Sequence, residues 1–106
     1  MSLDTTIFQI LKAIDVSYEN KNFTLKTLDL DKLNISPHRL ALHLENLIDK
    51  GYLNGATVRF GNNYEPIIGF AIPRLTLDGL DFLENNTSMK KAYNFLKEAK
   101  EWIPGL

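Results

Sequence analysis

Residues 24–53 read TLKTLDLDKLNISPHRLALHLENLIDKGYL, and the middle of that stretch decides the fold. Leu25, Leu28 and Leu33 follow a helical spacing that stops at Asn34, a residue type that tolerates the left-handed conformation closing a helix. Ser36 then offers a side-chain oxygen to the exposed amides of a new helix. Pro37 suits the first helical position, where an N–H would have no partner anyway. Leu40, Leu44, Leu47 and Ile48 align on one face of residues 37–50, and Gly51 can take the positive φ of a helix end. A short helix over 25–33, a tight turn, a longer helix and a glycine stop are the order of a helix-turn-helix spanning 25–50.

Upstream, Leu3, Ile7, Ile10, Leu11 and Ile14 predict an amphipathic helix over 3–16, with Ser2 or Asp4 as its cap. Lys12 and Asp15 fall on its other side. The polar turn Glu19-Asn20-Lys21-Asn22 separates it from the motif.

Downstream, the period changes. Thr57-Val58-Arg59-Phe60 and Pro66-Ile67-Ile68-Gly69-Phe70 flank Gly61-Asn62-Asn63, which predicts a β-hairpin over 52–72 with its tip at 61–63. Asn54-Gly55 is a competing turn, and Gly55 is read as a bulge because the later tip leaves two arms of similar length. After Pro73, Thr76 is the expected cap of a helix that turns Leu80 and Leu83 inward and ends at Asn85-Asn86. Residues 88–103 place Met89, Ala92, Tyr93, Leu96, Ala99 and Ile103 on one helical face. The expected fold is therefore α+β, mainly α. It is a winged helix-turn-helix with a β-hairpin wing and an additional long C-terminal helix, the last two helices falling within 76–103.

The bulk composition fits one domain over residues 1–106. Hydrophobic residues make up 44% of the chain and charged residues 24%, as in a folded soluble protein rather than a disordered one. Cysteine is absent, which removes disulfides, thiolate nucleophiles and cysteine-based zinc sites together. No apolar run approaches the roughly 18 residues that a membrane helix needs, and residues 1–20 lack the pattern of a secretion signal. The expectation is a cytoplasmic protein with no membrane partner.

Two stretches carry a family likeness. Residues 24–53, with Asn34-Ile35-Ser36-Pro37-His38-Arg39-Leu40, resemble the helix-turn-helix of bacterial winged-helix regulators. Leu75-Thr76 through Gly79 to Phe82-Leu83 resembles the helix that follows the wing in such proteins. Together with Gly51-Tyr52-Leu53 and the run from Lys91-Ala92-Tyr93 to Trp102-Ile103, nearly the whole chain resembles the YjcQ-like family of small bacterial and prophage-associated winged-helix proteins. The resemblance implies a fold and a bacterial or phage origin, and brings no established activity.

A winged helix that reads duplex DNA lays its second motif helix in the major groove. At 100° per residue, the face of 37–50 opposite the core carries His38, Arg39, Leu42, Glu45, Asn46 and Asp49. Arg39 and Asn46 suit base edges and His38 a phosphate, whereas Glu45 and Asp49 repel one. Arg59 is the single cation of the wing, and Glu65 offsets it. Residues 1–86 hold 8 Lys/Arg against 11 Asp/Glu, while 87–106 hold 4 against 2. Because phosphate neutralisation dominates affinity for DNA, this acidic balance weakens the DNA expectation without removing it.

Leu42 suits a protein contact, which keeps open a winged helix that meets a protein and not DNA. Met89, Tyr93, Phe95 and Trp102 exceed what one helix stripe needs to cover a three-helix core. Either they pack on the first helix of the same chain or they form a homodimer seam. His38 and His43 stand five residues apart, off the spacing with which one helical face holds a metal, so no metal or cofactor is expected. No phosphate-binding glycine motif or nucleophile elbow occurs, and no enzymatic activity is expected.

Overall fold

The computed structural model describes residues 3–19, 21 and 33–85. Within them the chain is α+β and mainly helical: α1 (Leu3–Glu19), α2 (Pro37–Asp49), β1 (Leu53–Phe60), β2 (Pro66–Leu75) and α3 (Leu77–Asn85). The two strands form one antiparallel hairpin. This arrangement is compatible with a winged helix. Leu33 is helical and buried, but the rest of the expected 25–33 helix lies outside the described residues, as does the whole of 88–103.

The core is a contact cluster of Phe8, Ile10, Leu11, Ala13 and Ile14 from α1 with Leu33, then Leu40, Leu44 and Leu47 from α2, and Leu53, Leu75 and Leu83. The inward stripe expected of α2 is the one observed. α1 differs in two ways from the expected single-stripe helix ending at 16. It runs on to Glu19, and it buries Thr5, Thr6, Gln9 and Ser17 as well as its apolar face. A helix covered round most of its circumference takes polar side chains inside with the apolar ones, so a single apolar stripe understates how much of it is enclosed.

The turn into α2 has the predicted chemistry. Asn34 is left-handed (φ 57°). Ser36 is extended (φ −80°, ψ 162°), and its hydroxyl accepts from the Arg39 amide at 3.1 Å. α2 closes with the Gly51 amide donating to the Ile48 carbonyl and the Tyr52 amide to the Leu47 carbonyl, both at 2.9 Å. That paired arrangement, with Gly51 at φ 75°, satisfies the last carbonyls of the helix.

The hairpin tip falls where the sequence places it, with the Gly61 amide donating to the Glu65 carbonyl at 2.9 Å. The bulge does not. Pairing runs from Phe60↔Pro66 to Ala56↔Phe70 and resumes at Asn54↔Arg74, so Gly55 alone faces Ala71, Ile72 and Pro73. The extra residues therefore belong to β2, and Gly55 is the short side of the irregularity. Gly55 has φ 81°, and a Cβ there would stand 2.0 Å from the Ile72 carbonyl oxygen, so the bulged strand closes over it. Pro73, which the sequence reading placed after the wing, lies inside β2, where the interrupted ladder has no use for an N–H.

β2 leads directly into α3 through Thr76. Its amide donates to the Tyr52 carbonyl at 3.0 Å, its hydroxyl donates to the Gly51 carbonyl, and the Gly79 amide donates to that hydroxyl at 3.1 Å. One residue thus caps α3 and ties it to the end of α2. Gly79 is required here, because a Cβ would meet the Tyr52 carbonyl oxygen at 2.1 Å. Phe82, one turn on, stacks on the Tyr52 ring with centroids 4.8 Å apart.

These contacts separate two glycines by mechanism. Gly79→Ala drives a methyl into backbone and should cost about 2–4 kcal/mol. Gly51→Ala meets nothing within 4 Å and carries only the left-handed penalty of about 1–2 kcal/mol. Urea unfolding of the two variants should rank them in that order, and equal losses would contradict the packing described.

Candidate nucleic-acid interface

α2 presents its outward face as the spacing predicts. His38, Arg39, Asn46 and Asp49 are exposed, Leu42 is 42% exposed, and Glu45 is half-buried. Arg39 and Asn46 are seven residues apart, two helical turns, and so share one side of the helix. No acidic residue occupies the first turn of α2, which leaves the partial positive charge of its amide end unopposed by its own side chains.

The hairpin lies alongside α2 and is fastened to it at the tip. His38 Nε2 donates to the Tyr64 carbonyl oxygen at 3.0 Å, a contact that joins residues 26 positions apart. His38 Nε2 is therefore engaged within the protein by a bond to the hairpin tip, while the residue stays exposed. Asn63 and Tyr64 are both left-handed, with φ of 62° and 58°. Asparagine adopts that region readily, whereas a tyrosine there is unusual, and nothing in the local sequence marks Tyr64 for it.

Arg59 is exposed on β1, paired across the ladder with Ile67. Phe60, Tyr64 and Ile67 are the exposed large apolar residues around the tip. Residues 36–75, which contain α2 and the hairpin, carry four Arg/Lys and three Asp/Glu. The balance of this unit is thus slightly basic although that of the whole chain is acidic. Leu42 lies on the same outward face as Arg39 and Asn46. Tyr93, Phe95 and Trp102, the other side chains expected at an interface, lie outside the described residues.

His43 faces inward and is 7% exposed. Burial, and secondarily the Arg39 guanidinium, hold its pKa below the ordinary 6.5, so it packs as a neutral ring. Among the described residues no three His, Cys, Asp or Glu side chains cluster so as to hold a metal. No helix among them is long and apolar enough to cross a membrane. An open groove of about 580 Å³ lies between the end of α1 and the β2 bulge, lined by Tyr18, Lys21, Ile72 and Pro73 among others. None of the exposed residues of α2 or of the hairpin tip lines it.

The family model described as YjcQ protein matches residues 8–102, and the chain belongs to the YjcQ family. Neither a curated protein nor a solved structure matches it.

The lowered pKa of His43 has a consequence for stability. The unfolded chain takes up a proton near 6.5 and the folded protein resists it, so the stability held by the neutral ring is complete above that pH and lost as pH falls through the folded value. Unfolding free energies compared at pH 7.5 and pH 5.5 should fall more for the wild type than for His43→Leu. Equal losses would show that His43 does not titrate differently on folding.

Proposed function

We propose that this YjcQ family member is a non-enzymatic winged-helix protein that binds duplex DNA in the cytoplasm, as a regulator or accessory factor of phage or prophage type. In this account α2 is the recognition helix and the β1–β2 hairpin is the wing.

The bond between His38 and the Tyr64 carbonyl carries the reading. It fixes the amino end of α2 against the tip of the hairpin, so that the two parts of a DNA-reading surface are held in one register before any duplex arrives. Preorganisation of this kind lowers the ordering cost of binding. Arg39 and Asn46 supply the side-chain types that pair with the edges of guanine and adenine. Arg59 and Lys50 are exposed on the same hairpin-and-helix unit and suit phosphates. With so few cations per chain, affinity is modest and a homodimer through residues 88–103 gathers two such surfaces.

A second reading, a protein-interaction module that does not bind DNA, draws on one observation. Leu42 is exposed in the middle of the face that would meet the groove, with Asp49 exposed and Glu45 half-exposed beside it.

A mobility-shift assay on random and host duplexes at low and moderate salt distinguishes the two. DNA binding predicts a shifted band at low salt that weakens as salt rises. Arg39→Ala should lose about 1–3 kcal/mol of specific affinity, and Arg59→Ala should lower the salt slope by about 1. No shift even at low salt overturns the proposal. Loss of a captured protein partner on Leu42→Asp, together with no shift, supports the second reading.

A further inference from the structure

We infer that Tyr64 is the residue the wing inserts into the minor groove of duplex DNA, and that His38 is a positioning residue that holds it there. The inference rests on the DNA-binding reading and goes further, since it names the groove, the contact and the residue that sets it.

Tyr64 combines two properties that work against the fold. Its backbone is left-handed at φ 58°, a conformation unfavourable for a residue with a bulky side chain. Its side chain is 81% exposed, so the ring returns almost no burial in exchange. Asparagine or glycine would make the same turn without the strain, and Asn63 does so one residue earlier at φ 62°. The tyrosine ring therefore adds little to the folded chain and is available for contact with something else. Strain of this kind persists where the surroundings over-determine it, and here the surroundings are the His38 bond to the Tyr64 carbonyl at 3.0 Å.

The neighbours of the ring indicate its partner. Asn62 and Asn63 are exposed beside it, and Arg59 is exposed on the strand that leads to it. Proteins that enter the minor groove combine such residues, Arg and Asn for donors, with a wedge that packs on the sugars and base steps. Glu65 is the single acid between Arg59 and Leu75, and it follows the ring into β2. A tip that enters with Asn62, Asn63 and Tyr64 foremost therefore meets the duplex through its amides and ring. The same composition suits a protein pocket less well, because both amides and the guanidinium would need partners there.

The test is fluorescence anisotropy of a labelled random-sequence duplex at low salt, with thermal unfolding of every variant in parallel. Tyr64→Phe keeps the ring and should bind as the wild type does. Tyr64→Asn keeps the turn, should unfold at the same or a higher temperature, and should bind about tenfold more weakly. His38→Ala should also bind more weakly, but with an unchanged dependence on salt, because no phosphate contact is removed. On a second duplex made of A·T pairs, saturation beforehand with netropsin, which fills the minor groove of A·T runs, should abolish the difference between wild type and Tyr64→Asn. If Tyr64→Asn binds as tightly as the wild type, the inference fails and the DNA-binding reading stands. If the wild type does not bind DNA, both fail. A lowered unfolding temperature for Tyr64→Asn would make the ring a structural element and would also overturn the inference.

Discussion

The Thr76 hydroxyl sits where three parts of the chain meet. It donates to the Gly51 carbonyl at the end of α2 and accepts from the Gly79 amide at the start of α3, while the Thr76 amide reaches the Tyr52 carbonyl just before β1. Each of these is an orphan group of a helix end or strand end, which would otherwise need water or another partner. The Thr76 side chain satisfies two of them and its backbone amide a third, with Gly51 left-handed and Gly79 letting the Tyr52 carbonyl approach. The Tyr52–Phe82 stack then seals the same point from its apolar side. Leu75-Thr76-Leu77-Asp78-Gly79 with Phe82-Leu83 is a sequence pattern because each of Leu75, Thr76, Gly79, Phe82 and Leu83 has a part in this junction or in the core below it.

That junction fixes the base of the hairpin to α2, and His38 fixes the tip. A hairpin held at one end pivots, whereas one held at both ends shares the orientation of the helix beside it. The exposed faces of α2 and of the hairpin consequently form one surface whose parts keep a set relation. For a nucleic-acid reader such a set relation supplies register, which the phosphate contacts that position a protein and the base contacts that specify sequence both need. The β2 bulge adjusts the same element from the other side. It places two extra residues opposite Gly55, and turns Ile72, 68% exposed, away from the core.

Local chemistry was the legible part of this chain. Asn34, Ser36, Pro37 and Gly51 mark the turn and the helix end because each residue type solves a backbone problem at its own position. The same holds for Gly61 at the tip and Thr76 at the cap. Relations between distant segments were not legible. The bulge was expected at Gly55 because glycine is the visible signal, yet the extra residues lie on β2, where Ala71, Ile72 and Pro73 look like ordinary strand. The bond from His38 to the Tyr64 carbonyl was hidden for the same reason, since a contact across 26 residues leaves no periodic trace. Tyr64 was passed over because a tyrosine in a turn carries no conformational signature. The burial of Thr5, Thr6, Gln9 and Ser17 depends on how completely α1 is enclosed, which the apolar stripe alone does not encode.

A single surface built from the outward face of α2 and the tip of the hairpin is the centre of the account. Titration of the isotopically labelled protein with a random duplex at low salt, followed by amide and side-chain NMR shifts, examines it most directly. The account predicts that Arg39, Leu42 and Asn46 shift together with Asn62, Asn63 and Tyr64, along one titration curve. Shifts confined to the groove beside Ile72 would contradict it, as would a spectrum that DNA leaves unchanged.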